Sequence, residues 1–73
     1  MPERKINRLK VVLAEKDRTN RWSAEQIGYT EGMVSRWVSN AKQPPLDILY
    51  DISLLLKVDI RDLIESNAHA LKR

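Results

Sequence analysis

The chain has few residues suited to covalent or redox chemistry. It contains no Cys, which removes disulfides, thiolate nucleophiles and thiolate zinc sites together. Its single His, His69, cannot build a metal site alone, and no base–nucleophile pair with a Ser and an Asp can be fixed around it. The sequence therefore does not read as an enzyme, and no metal or cofactor is expected. What remains is recognition by hydrogen bonds and charge. Residues 1 to 43 hold nine Lys or Arg against five Asp or Glu, whereas residues 44 to 73 hold four against five. The basic half is the candidate surface for a polyanion, although a mild cationic excess is also common on soluble surfaces. Within that half, Glu31, Ser35, Arg36 and Ser39 lie interleaved with apolar Val34, Trp37 and Val38. This is a set of carboxylate, hydroxyl and guanidinium groups able to engage hydrogen-bonding edges or phosphates.

The scaffold that must position these groups is small. A chain of 73 residues has room for one domain and one core, and helix packing, with or without a partner subunit, must stabilise it. Apolar Ile6, Leu9, Val12 and Leu13, with the stem of Lys16, follow a three-four spacing that predicts a first helix over about 5–17. Thr19 is a good N-cap for a second helix over 20–27, and Gly28 can end it with a left-handed residue. Thr30 caps a third helix over 31–40 with Val34, Trp37 and Val38 inward. Pro45 fits the first turn of a fourth, over 45–57, with Leu46, Leu49, Ile52 and Leu56 buried. Asp59 caps a fifth over 60–66, with Asp62 in the acidic position of a capping box and Leu63 and Ile64 facing in. Residues 67–73 read as a frayed tail, which leaves a single all-α domain of five helices with its core at about 5–66. The longest apolar run, Leu54-Leu55-Leu56, is far short of a membrane span, and no charged-then-apolar leader follows Met1. A soluble intracellular protein without membrane contact is the expectation.

The joint between the second and third helices is the most informative feature. Ala24 is small enough for a close helix crossing, Gly28 can take the turn, and Val34 can pin the third helix. Ile27 and Tyr29 can close the space under the turn while Trp37 fills the core. The run from Thr19 to Thr30, TNRWSAEQIGYT, followed by Val34-Ser35-Arg36-Trp37, resembles the Cro-like, xenobiotic-response-element type of helix-turn-helix. The resemblance continues through Gln43–Leu49, Ile52 and Val58–Ile64, so it spans about residues 6 to 65. Ser23 and Arg18 depart from it, standing where apolar residues are usual, and Trp22 is placed to supply the missing volume. Asn40 stands where a Gly often ends the third helix. The resemblance implies a compact lambda-repressor-like domain, bacterial or phage-encoded and cytoplasmic. It also implies a transcriptional regulator, a repressor above all, that binds a palindromic double-stranded DNA operator as a homodimer.

With the third helix in a major groove, the outward residues Glu31, Gly32, Ser35, Arg36 and Ser39 become base-reading candidates. Glu31 suits a cytosine amino group but equally complements the helix dipole; Arg36 suits guanine but equally grips a phosphate or a surface carboxylate. Gly32 either lets the backbone approach a base edge or is merely tolerated in the first turn. Asn20, Arg21, Thr30, Asn40 and Lys42 are candidates for flanking phosphates, a role compatible with capping and turn duties for Asn20, Thr30 and Asn40. Both Trp residues are read as packing groups rather than as stacking platforms. Ile48, Leu54, Leu55 and Ile60 fall outside the expected buried stripe, forming either a dimer interface or the flank of a helix buried on a wider arc. An antitoxin or other interaction module that uses this surface against a toxin or another protein is the alternative function.

Overall fold

The computed structural model describes residues 4–71, without the side chain of His69. Four α-helices form: α1 (Leu9–Glu15), α2 (Asn20–Ile27), α3 (Glu31–Val38) and α4 (Leu46–Leu56). Two 3₁₀ turns follow, Ile60–Leu63 and Ala68–Leu71. The described residues are thus all-helical apart from a single antiparallel bridge between Asn7 and Ile64. The core draws on every helix: Leu9, Val12 and Leu13 from α1, Ala24 from α2, Val34 and Trp37 from α3, and Leu49, Ile52 and Leu56 from α4. Leu63, from the first 3₁₀ turn, completes it.

That bridge overturns two expectations at once. The first helix begins at Leu9 rather than near residue 5, and the fifth predicted helix is only the turn Ile60–Leu63. Residues 6–8 and 63–65 pair with each other instead: the Arg8 N–H donates to Leu63 O at 2.8 Å, and the Glu65 N–H to Ile6 O at 2.7 Å. Ile64 is accordingly extended, with φ −124° and ψ 137°. A β-branched residue has little helical preference to lose, so long-range pairing prevails over local propensity there. Ile6 and Ile64, both expected inside, end on the rim at 43% and 38% exposure. Asp59 caps the turn as expected, its carboxylate accepting from the Arg61 N–H at 2.8 Å. No bond from the Asp62 side chain to the Asp59 N–H completes a capping box among the described residues.

The other corrections are at helix ends. Helix α1 stops at Glu15 and leaves Lys16 exposed. Helix α3 stops at Val38, with Ser39 and Asn40 in a turn and Asn40 left-handed at φ 64°. Pro45 is the cap of α4 rather than its first residue, and left-handed Lys57 ends the helix at φ 58°. Leu46 is 73% exposed; Ser53 joins Leu49, Ile52 and Leu56 on the buried stripe in its place, its hydroxyl donating to Tyr50 O. Of the expected frayed tail, residues 68–71 form a turn, and 72–73 lie outside the described residues. No helix among the described residues is long and apolar enough to cross a membrane.

Candidate nucleic-acid interface

Helices α2 and α3 meet through a hinge whose parts have separate physical roles. Ala24 is buried at their contact. Gly28 takes φ 77°, a left-handed conformation that costs an L side chain about 1–2 kcal/mol. Its N–H and that of Tyr29 both donate to Ala24 O, at 2.9 and 3.0 Å, so the last turn of α2 is satisfied as the chain reverses. Each helix then starts on a threonine cap: Thr19 Oγ1 accepts from the Trp22 N–H at 3.0 Å, and Thr30 Oγ1 from the Met33 N–H at 3.1 Å.

Two buried residues, Val34 and Trp37, hold α3 against the body, with Tyr29 packed edge-on to the Trp37 ring at 5.0 Å between centroids. The Trp37 indole N–H is buried without a partner among the described residues, which fits a packing role. On α2, the buried Ser23 hydroxyl donates to Thr19 O, while Trp22 lies half-buried against the core with the Arg18 guanidinium 4.2 Å above its ring. Both departures from the expected pattern are thereby accommodated: a hydroxyl satisfied by its own backbone, and a cation stacked on an indole.

This packing leaves one face of α3 open. Glu31, Gly32, Ser35, Arg36 and Ser39 are all exposed. Glu31 lies in the first turn and Arg36 in the last, each complementing the local end of the helix dipole. Neither belongs to an ion pair among the described residues, so Arg36 is not held by a surface carboxylate. A Cβ built on Gly32 would meet no atom within 4 Å, so nothing within the protein requires a glycine there. The Ser39 hydroxyl donates back to Arg36 O at 3.1 Å.

The candidate phosphate contacts divide. Asn20 is half-buried at the start of α2, Thr30 and Lys42 are exposed, and Arg21 forms a loose exposed pair with Glu25 at 3.8 Å. Asn40 is different. Its side-chain oxygen accepts from the Ile6 N–H at 2.8 Å, the Asn7 N–H at 3.0 Å and Gln43 Nε2 at 3.1 Å, and its Nδ2 donates to Asn7 O at 3.2 Å. Asn7, 4% exposed, returns two bonds of 2.8 Å from Nδ2, to Trp37 O and to Gln43 Oε1. Sequence reasoning missed this cluster, which ties the end of α3 to the N-terminal segment. Its only sequence signal was the Asn in place of Gly at position 40.

The candidate partner surface also divides. Ile48 and Ile60 pack against the core, Leu55 is half-buried and Leu54 is 61% exposed. The open apolar row on α4 is instead Leu46, Tyr50 and Leu54, spaced four residues apart. No group of three or more potential metal ligands occurs among the described residues.

Residues 8–69 match the model of the Cro/C1-type HTH DNA-binding domain. Among solved structures, the chain is similar to that of a "putative DNA-binding protein from Bacteroides fragilis". The two are 60% identical with a TM-score of 0.81, over 82% of this chain and 97% of that one. A comparison with curated proteins gave no match.

Proposed function

From the chain's membership of the Cro/C1-type helix-turn-helix DNA-binding domain family, to which it belongs by a match over residues 8–69, we propose that it is a transcriptional regulator acting by occupancy of a double-stranded operator. One observation carries this reading: α3 stands on a left-handed glycine hinge with Glu31, Ser35 and Arg36 exposed and unengaged by any carboxylate or cation among the described residues. In a major groove, Arg36 would fork onto a guanine edge and Glu31 would accept from a cytosine amino group. Gly32 would bring the backbone close to a base, with Ser35 and Ser39 on the same face. Asn20, Arg21, Thr30 and Lys42 would hold the flanking phosphates. Asn40, most of whose side chain is committed to the protein itself, would position the end of α3 rather than touch DNA. Repression follows if the occupied site overlaps a promoter.

The exposed row Leu46, Tyr50 and Leu54 supports pairing of two copies through α4. A two-fold dimer would set its recognition helices about one DNA turn, ~34 Å, apart and so favour a palindromic site. Selection from a random duplex library, followed by titration of the recovered site, tests the reading. Arg36→Ala should lose about 1–3 kcal/mol of binding with its melting temperature unchanged. Parent-like binding by that variant at two salt concentrations would remove Arg36 from the interface. Loss of only a protein partner in Leu54→Glu, with no duplex bound by the parent, would favour the interaction module.

A further inference from the structure

A second cationic site lies at the far end of α3, built with residues about thirty positions earlier in the chain. The Asn40 side chain grips the Ile6 and Asn7 N–H groups, bringing the N-terminal segment and the start of α1 against the end of the recognition helix. Between them is a cleft of about 250 Å³. It is lined by Val11 and Val38, by Ser39 and Asn40 just past the end of α3, and by Lys5 and Lys10. Ser39 is one helical step of four residues from Ser35, so the cleft continues the open face of α3. Arg8 also lines it, but its Nη1 donates to Asp62 O at 2.7 Å. Lys5 and Lys10 are both exposed and neither forms an ion pair among the described residues. Among the described residues, the one carboxylate that lines it is Glu65.

A comparable set of cations, Lys16, Arg18 and Lys57, surrounds a cleft beside Trp22. There Lys16 and Lys57 are the C-caps of α1 and α4, so the carbonyl ends of two helices already complement them. Lys5 and Lys10 have no such account.

We propose that the Lys5–Lys10 cleft is a phosphate-binding site for the same duplex that α3 reads, clamping the strand beyond the helix's C-terminal end. The inference rests on the DNA-binding reading above. It makes the Asn7–Asn40 cluster the device that joins base reading to backbone grip.

The test compares the full chain with three variants: Lys5→Gln/Lys10→Gln, Lys16→Gln/Lys57→Gln with the same change in net charge, and Glu65→Gln. Each is titrated over a salt series against a duplex selected by the parent and against a random duplex. Loss of one or two phosphate contacts should flatten the slope of log affinity against log salt by about 0.9–1.8 in the first variant. The loss should be equal on both duplexes, because a phosphate carries no sequence information. The Lys16/Lys57 variant should keep the parental slope, and Glu65→Gln should bind more tightly than the parent. An unchanged slope in the first variant, or an equal fall in the Lys16/Lys57 variant, overturns the site while leaving the α3 reading intact if binding still depends on Arg36. A parent that binds no duplex overturns both.

Discussion

The α2–α3 hairpin and the seam that joins residues 6–8 to residues 63–65 and Asn40 hold the same helix, α3, by different means. In the hairpin, every structural job is done by a residue within a few positions of where it acts. Thr19 and Thr30 cap the next turn, and Gly28 reverses the chain onto an acceptor four residues back. In the seam, the bonds span 30 to 36 positions from Asn7 to Trp37, Asn40 and Gln43. They are buried or part-buried, so each lost partner costs more than its surface equivalent. A helix can thus be started by local chemistry and still depend on distant chemistry for where it ends.

That contrast orders the expected effects. Asn7→Ala should be the most damaging change, because it strands the Leu9 N–H in the interior and leaves Trp37 O with the Asn40 N–H in place of two donors. A loss of about 2–3 kcal/mol is expected in denaturant titration. If that variant proves milder than a hinge variant, the seam is not the costlier half. Gly28→Ala comes next. Its Cβ meets nothing within 4 Å, so the penalty is left-handed strain alone, about 1–2 kcal/mol, and Gly28→Asn should recover much of it.

Gly32→Ala separates folding from binding. The helix should gain up to about 1 kcal/mol from removing a glycine, while DNA affinity falls if the backbone closely approaches a base. A variant that is more stable and binds as well as the parent would leave Gly32 merely tolerated. The smallest effect is expected at Asp59, an exposed carboxylate. The side-chain hydrogen bond from Arg61 holds its pKa below the ordinary value, as do the Arg61 backbone N–H and charge. A lowered folded pKa means the contribution is present above the unfolded value and lost as pH falls through the folded one. Melting temperature should therefore decline at the acid end of a titration, and Asp59→Asn should make that decline shallower.

How much was legible follows the same division. The bounds of α2 and the caps and hinge around α3 could be read directly, because period, threonine hydroxyls and glycine act over short spans. So could the core positions from Leu9 to Leu56, since three-four spacing marks a buried face. Residues 5–8 and 64–66 carry an equally helical-looking pattern, and nothing local announces that Asn7 and Ile64 pair across the fold. Leu46 departs from its expected burial because the buried stripe of α4 starts one turn later, at Leu49. In the candidate site, the outward face of α3 followed by subtraction from its inward face. The proposed contribution of Lys5 and Lys10 does not, since it requires knowing that Asn40 turns back to meet Asn7.

The two indoles occupy contrasting surroundings, and this gives the molecule a pair of built-in optical reporters. Trp37 is 1% exposed with its N–H unbonded, so its emission should be blue-shifted and should respond to unfolding. Trp22, half-exposed beneath Arg18 and two residues from Asn20, should emit further to the red and sense anything that draws the guanidinium away. Steady-state fluorescence of the unlabelled protein would then follow unfolding and duplex docking as separable signals.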